Sequence, residues 1–132
     1  MIQFLESPDD VLAYRLEGRV TGADLDAAMD RLEWCMAKFR TVHLYMETHA
    51  ITGFDVAAWP HHAARSLPLL LSLNRFGRVA VVADQAWIRG WTRVESALVP
   101  FVTYRTFTPD RRNEAFGWVT GQAAAEPMPR AA

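Results

Sequence analysis

A single cysteine, Cys35, leaves the chain without a second thiol for an internal disulfide and without a cysteine-rich metal site. Neither sign of charge is in excess: 14 basic against 15 acidic side chains give a formal net charge of −1. No overall field attracts nucleic acid or anionic lipid, and no nucleic-acid partner is expected. Long apolar runs are missing too. Stretches such as LPLLL at 67–71 fall far short of the roughly 20 residues that a spanning helix needs. The opening residues MIQFLESPDD carry no basic start and no long apolar run, so no signal peptide is visible. A soluble, cytoplasmic protein is the expectation. The seven glycines never cluster, which removes the phosphate-loop and dinucleotide fingerprints.

What is present suits one domain. The 132 residues are 51% hydrophobic and 22% charged, ordinary values for a globular protein. Residues 1–120 are expected to form that domain. The stretch GQAAAEPMPRAA has no periodicity, and residues 121–132 read as a disordered tail.

Two strands, IQFLES and VLAYRLEG, are joined by the turn SPDD at 7–10. Leu12, Tyr14 and Leu16 share one face, and Ala13, Arg15 and Glu17 the other, as in a hairpin with one wetter side. Thr21, with Asp24 three residues on, caps a helix whose apolar stripe is Leu25, Ala28, Met29, Leu32, Met36 and Phe39. At about 100° per residue, Trp34 falls nearly opposite that stripe. Either it lies flat over aliphatic stems, or it is an interface candidate, since tryptophan is enriched at contact hot spots.

TVHLYMET (41–48) reads as a third strand and HAITG as the loop after it. Asp55 caps a second helix reaching about Asn74, with Pro60 opening its main segment. GRVAVVAD (77–84) is apolar on both faces, as in an interior parallel strand. Asp84 caps a third helix, in which Trp87, Trp91, Val94 and Leu98 form one stripe; Pro100 ends it. FVTYRTF (101–107) is the fifth strand, and PDRRNEAFGWV (109–119) the last helix. The alternation after the hairpin implies right-handed crossovers and a mainly parallel sheet.

Four segments in this order carry a family likeness: LEGRVTGADLDAAMDRLE, ITGFDVAAWPHH, RVAVVADQAWIRGWTR and VTYRTF. Across residues 1–119 the chain resembles the SpoIIAA-like family, small bacterial proteins related to STAS and CRAL-TRIO (Sec14-type) domains. The resemblance implies an α/β, STAS-like β/α superhelix: a five-stranded mixed sheet with an N-terminal antiparallel hairpin and about four helices. It also implies a non-enzymatic role. Phosphorelay members of the STAS group place a serine at the start of the second helix, in an Asp-Ser-Ser/Thr-Gly type motif. Here the stretch is Phe54-Asp55-Val56-Ala57-Ala58, which keeps the aspartate and has no hydroxyl to accept phosphate.

Reaction chemistry finds little footing. His61 and His62 are sequence neighbours about 100° apart on a helix and do not easily converge on one ion. His49, in the loop before that helix, could approach either, but surface or cap-region histidines are the expectation for all four, His43 included. Ser66, Ser72 and Ser96 sit within helical patterns and outside any nucleophile elbow. No catalytic residue, metal or cofactor is expected. Two functional readings follow. The first is a binding or regulatory module with an apolar pocket at the carboxyl ends of the strands, lined by Phe54, Trp59, Trp87 and Trp91 and taking a lipophilic small molecule. Thr48, His49, Thr52, Asp55 and Asp84 are the loop candidates around it. Arg89 and Arg93 beside tryptophans extend that reading to a peripheral membrane contact. The second is a protein-interaction module, a homodimer using Trp34 or a docking module without the phosphoserine switch.

Overall fold

The computed structural model describes residues 1–54, 60–61, 64, 73–84 and 102–121, without the side chains of Phe54 and Leu73. The chain opens with β1 (Ile2–Phe4) and β2 (Val11–Val20), an antiparallel pair in which Ile2 faces Leu16 and Phe4 faces Tyr14. The turn between them closes where the Val11 N–H donates to the Pro8 carbonyl (3.0 Å) and Ser7 Oγ donates to the Val11 carbonyl (2.7 Å). Helix α1 (Gly22–Lys38) starts at the expected capping box. The Asp24 N–H donates to Thr21 Oγ1 (3.2 Å), and the Thr21 N–H donates to Asp24 Oδ2 (2.9 Å). Its far end is held by Arg75, which donates to the carbonyls of Met36 (2.5 Å), Phe39 (2.7 Å) and Arg40 (3.1 Å). A guanidinium there satisfies orphan carbonyls and complements the negative end of the helix dipole.

β3 (Val42–Phe54), β4 (Phe76–Val82) and β5 (Thr103–Phe107) follow, each parallel to its neighbour, in the order β1-β2-β3-β4-β5. A 3-10 turn, Leu73–Arg75, leads directly into β4. A second, Pro109–Arg111, precedes helix α2 (Arg112–Val119), so the last helical segment opens tightly before it widens.

The sheet is apolar on both faces. On one, Leu12 and Val42 meet Leu32 and Cys35 of α1, with Phe4, Tyr14, Met36 and Phe39 packed around them. On the other, Val11, Ala13, Tyr45, Ala80, Val82 and Phe107 meet Ala115 and Val119 of α2. Burying each such valine or leucine side chain stabilises the fold by about 1.5–3 kcal/mol. The wetter face expected for β2 is therefore confined to its second half. Ala13 lies under α2, whereas Arg15 and Glu17, on the same side, are only half-buried.

Two further expectations change. β3 runs six residues beyond Thr48, so HAITG is strand and not loop. The reason is its neighbour: β2 continues past Gly18 and offers a partner to the very end, Arg19 facing Gly53 and Val20 facing Phe54. The extra length of β3 is absorbed in a bulge between the Glu17–His49 and Arg19–Gly53 pairs. There Gly18 (φ 61°) takes the left-handed backbone without cost, and Ala50 (φ 49°) takes it with strain. Second, two α-helices stand among the described residues where about four were expected. Most of the predicted second and third helices lies outside those residues; within the former, Pro60, His61 and Ala64 are helical. Of the expected tail, 121–132, everything after Gly121 also lies outside.

Candidate functional site

The hairpin turn and α1 enclose a cleft of about 540 Å³ beside the outer strand of the sheet. Phe4 and Leu12 line it on the α1 side of the sheet, with Arg31, Trp34 and Cys35 of α1. The turn contributes Glu6 and Asp9, and Leu5 and Phe116 of α2 line it from the other face. This is the end of the sheet where β2 begins, opposite the carboxyl ends where sequence reasoning put a pocket. Trp34 is 44% exposed, unlike every other large apolar residue described except Met1. Lys38, one turn on, stacks on its ring at 4.5 Å, and the Arg31 guanidinium covers Phe4 at 4.6 Å. Cations thus line the helix wall and carboxylates the turn wall.

Cys35 is buried at the back, its Sγ 3.8 Å from the Asp9 carbonyl. Burial raises its thiol pKa; Arg31 works against that, and Asp9 and Asp10 add to it. The thiol stays protonated and is a packing group rather than a nucleophile.

A second polar group lies under α2. Glu47 is 7% exposed, with one oxygen taken by Arg15 Nε (3.1 Å) and the other by the Tyr45 hydroxyl (2.6 Å). Arg15 and Glu47 are register partners on β2 and β3, so the strands themselves set the pair. Burial, then the hydrogen bond to Glu47 and its charge, raise the Tyr45 phenol far above its usual range. The tyrosine therefore holds its proton and donates it, and its ring packs edge-on against Phe116 at 5.3 Å. Each charge here is answered by a partner, which is an arrangement for packing polar groups.

At the other end of β3, His43 Nδ1 accepts from the Arg78 N–H (2.8 Å), and its Nε2 lies 3.9 Å from Asp10. The ring lies so close over Gly77 that a Cβ there would collide with it. Among the described residues no group of three or more histidine, cysteine or acidic side chains could hold a metal ion.

The predicted site residues divide. Thr48 donates to the Val82 carbonyl (3.3 Å), and His49 and Thr52 are exposed, all on β3. Phe54 ends β3 opposite Val20, and Asp84 is exposed just past β4. Asp55, Trp59, Trp87 and Trp91 lie outside the described residues. Of the candidates among the described residues, Trp34 alone lines the cleft. Sequence reasoning missed Phe4, Arg31 and the turn acids because the hairpin, not any motif, brings them to α1. It also missed Glu47, whose signal was an acid at an inward position of one strand and a base, Arg15, at an inward position of another.

The sequence matches the SpoIIAA-like family profile over residues 11–120, from the start of β2 to the end of α2. The chain belongs to the SpoIIAA-like family. A solved structure agrees: an uncharacterized protein of the DUF3478 family with a SpoIIAA-like fold, from Shewanella loihica PV-4. It superposes with a TM-score of 0.59 at 24% identity, covering 90% of this chain and 92% of that one. At that identity the likeness speaks for the SpoIIAA-like fold alone. No curated protein matches the chain. Among the described residues of this SpoIIAA-like protein, no helix is long and apolar enough to cross a membrane.

Proposed function

We propose that this SpoIIAA-like protein is a non-catalytic module that docks another protein surface at the cleft between the hairpin and α1. The observation that carries this reading is Trp34: a large aromatic ring left 44% exposed at the rim of a cleft. Leaving that ring in water forgoes hydrophobic stabilisation, and tryptophan is the residue type most enriched among interface anchors. The surrounding Arg31, Lys38, Glu6 and Asp9 supply the polar rim that protein interfaces use. The buried polar cluster supports the non-catalytic part, because Arg15, Tyr45 and Glu47 are committed to one another.

The test is a photo-crosslinking amino acid placed at position 34 in the full chain, with the exposed strand position Thr52 as control. Irradiation in cells should give an adduct with a protein, identified by mass spectrometry, at position 34 and not at position 52. Equal labelling at both positions, or none at 34, refutes the docking reading.

A further inference from the structure

We propose that the outer edge of β1 pairs with the same edge of a second copy of this chain, joining two five-stranded sheets across a two-fold axis. This rests on the docking reading and names its occupant. The Leu5 N–H donates to the Ala13 carbonyl, and the Glu17 N–H to the Met1 carbonyl (2.9 Å each). Met1 and Leu5 therefore turn their backbone groups toward β2. With Gln3 facing Arg15 between them, alternation points the N–H and C=O of Ile2 and Phe4 outward, along an edge that no described strand covers.

That pattern is self-complementary. In an antiparallel arrangement centred on Gln3, Ile2 of one copy faces Phe4 of the other, and each pair exchanges two backbone bonds. The result is four new bonds and an isologous contact. The strand is short, but Ile2, Gln3 and Phe4 include no charge and no proline to oppose such pairing. The opposite edge strand, β5, presents Arg105.

Trp34 acquires a use in this assembly. Helix α1 packs over β2, so two copies would set their α1 helices three strand spacings apart, about 14 Å. Helices in direct contact lie about 8–10 Å apart. The remaining gap needs bulky side chains, and α1 directs Arg31, over Phe4, and Trp34, on the cleft, to that side.

Light scattering on the full-length chain, at concentrations up to millimolar, tests the pairing. The wild type should show twice the mass of one chain. Gln3 is exposed, so replacing it spares the core. Across the axis the two copies of residue 3 form a close pair in which like charges repel. Gln3→Lys and Gln3→Glu should therefore each halve the mass, and an equimolar mixture of the two should restore it. Gln3→Cys, oxidised, should give a covalent dimer on a non-reducing gel, because that close pair suits a disulfide and the native Cys35 is buried. A single-chain mass for the wild type, a doubled mass retained in Gln3→Lys, or no covalent dimer from Gln3→Cys overturns the edge pairing. If Trp34→Ala alone halves the mass while both charged Gln3 variants stay doubled, docking at Trp34 stands and the edge pairing falls. If the wild type is a single chain and position 34 still crosslinks to another protein, the same conclusion follows.

Discussion

Acidifying the protein through the titration of His43 should remove a definable share of its stability. In the fold, Nδ1 of His43 accepts the Arg78 backbone N–H at 2.8 Å, which requires a neutral ring protonated on Nε2. Burial lowers the pKa of this imidazole, the positive Arg78 lowers it further, and Asp10 pulls the other way. The unfolded chain therefore takes up the proton first. The stability that His43 contributes is complete above its ordinary pKa of about 6.5 and is lost as pH falls from there through the lower folded value. A charged ring has no lone pair for the Arg78 N–H, and an orphaned buried donor costs about 1–3 kcal/mol. Asp10, 3.9 Å away, favours the charged ring and brings the expected loss to the lower end, about 1 kcal/mol. His43→Asn offers an amide oxygen in place of Nδ1 and does not titrate. Urea denaturation of both proteins from pH 8 to pH 5 isolates the effect, because every other titrating group is common to the two. The wild type should lose about 1 kcal/mol relative to His43→Asn below pH 6.5. A difference that stays constant across that range would refute the reasoning.

Other perturbations follow from the same contacts. Arg75→Ala leaves the last carbonyls of α1 without their guanidinium and should cost about 1–2 kcal/mol. Hydrogen exchange should show the Phe39 N–H, which closes the helix on the Cys35 carbonyl, losing protection first. Gly77→Ala drives a methyl into the His43 ring and should lower the melting temperature; swapping His43 for a smaller residue in the same chain should return part of it. Arg15→Met removes the cation that answers Glu47, leaves the Tyr45 hydroxyl to hold the carboxylate, and should cost about 2–3 kcal/mol. Adding Glu47→Leu should recover stability, and a double variant less stable than the single one would show that the pair is not the unit argued above.

Local chemistry made much of the framework readable. Alternation around Pro8 gave the hairpin, Thr21 with Asp24 gave the start of α1, and the unbroken apolar run Val79–Val82 of β4 gave a strand covered on both faces. The extension of β3 was hidden because His49 to Gly53 read as loop by composition. Only pairing with the far half of β2 makes them strand, and that is a tertiary fact. The exposure of Trp34 was legible from helical periodicity, while the cleft it borders was not. Phe4 and Arg31 are far apart in sequence and meet only once the hairpin folds back beside α1. The pairing of Arg15 with Glu47 depends on strand register, which a single sequence does not fix.

The placement of α2 has a consequence for the chain as it is made. Strands β1 to β5 join the sheet in the order in which a ribosome delivers them, each beside one already present. Val11 and Ala13 are made about a hundred residues before α2, whose Ala115 and Val119 share their core. Among the described residues, the face formed by Val11, Ala13, Tyr45, Ala80, Val82 and Phe107 therefore waits, wet and apolar, for α2, which follows all five strands. A nascent chain stalled shortly before Arg112 should be a target for chaperones that recognise bare hydrophobic surface.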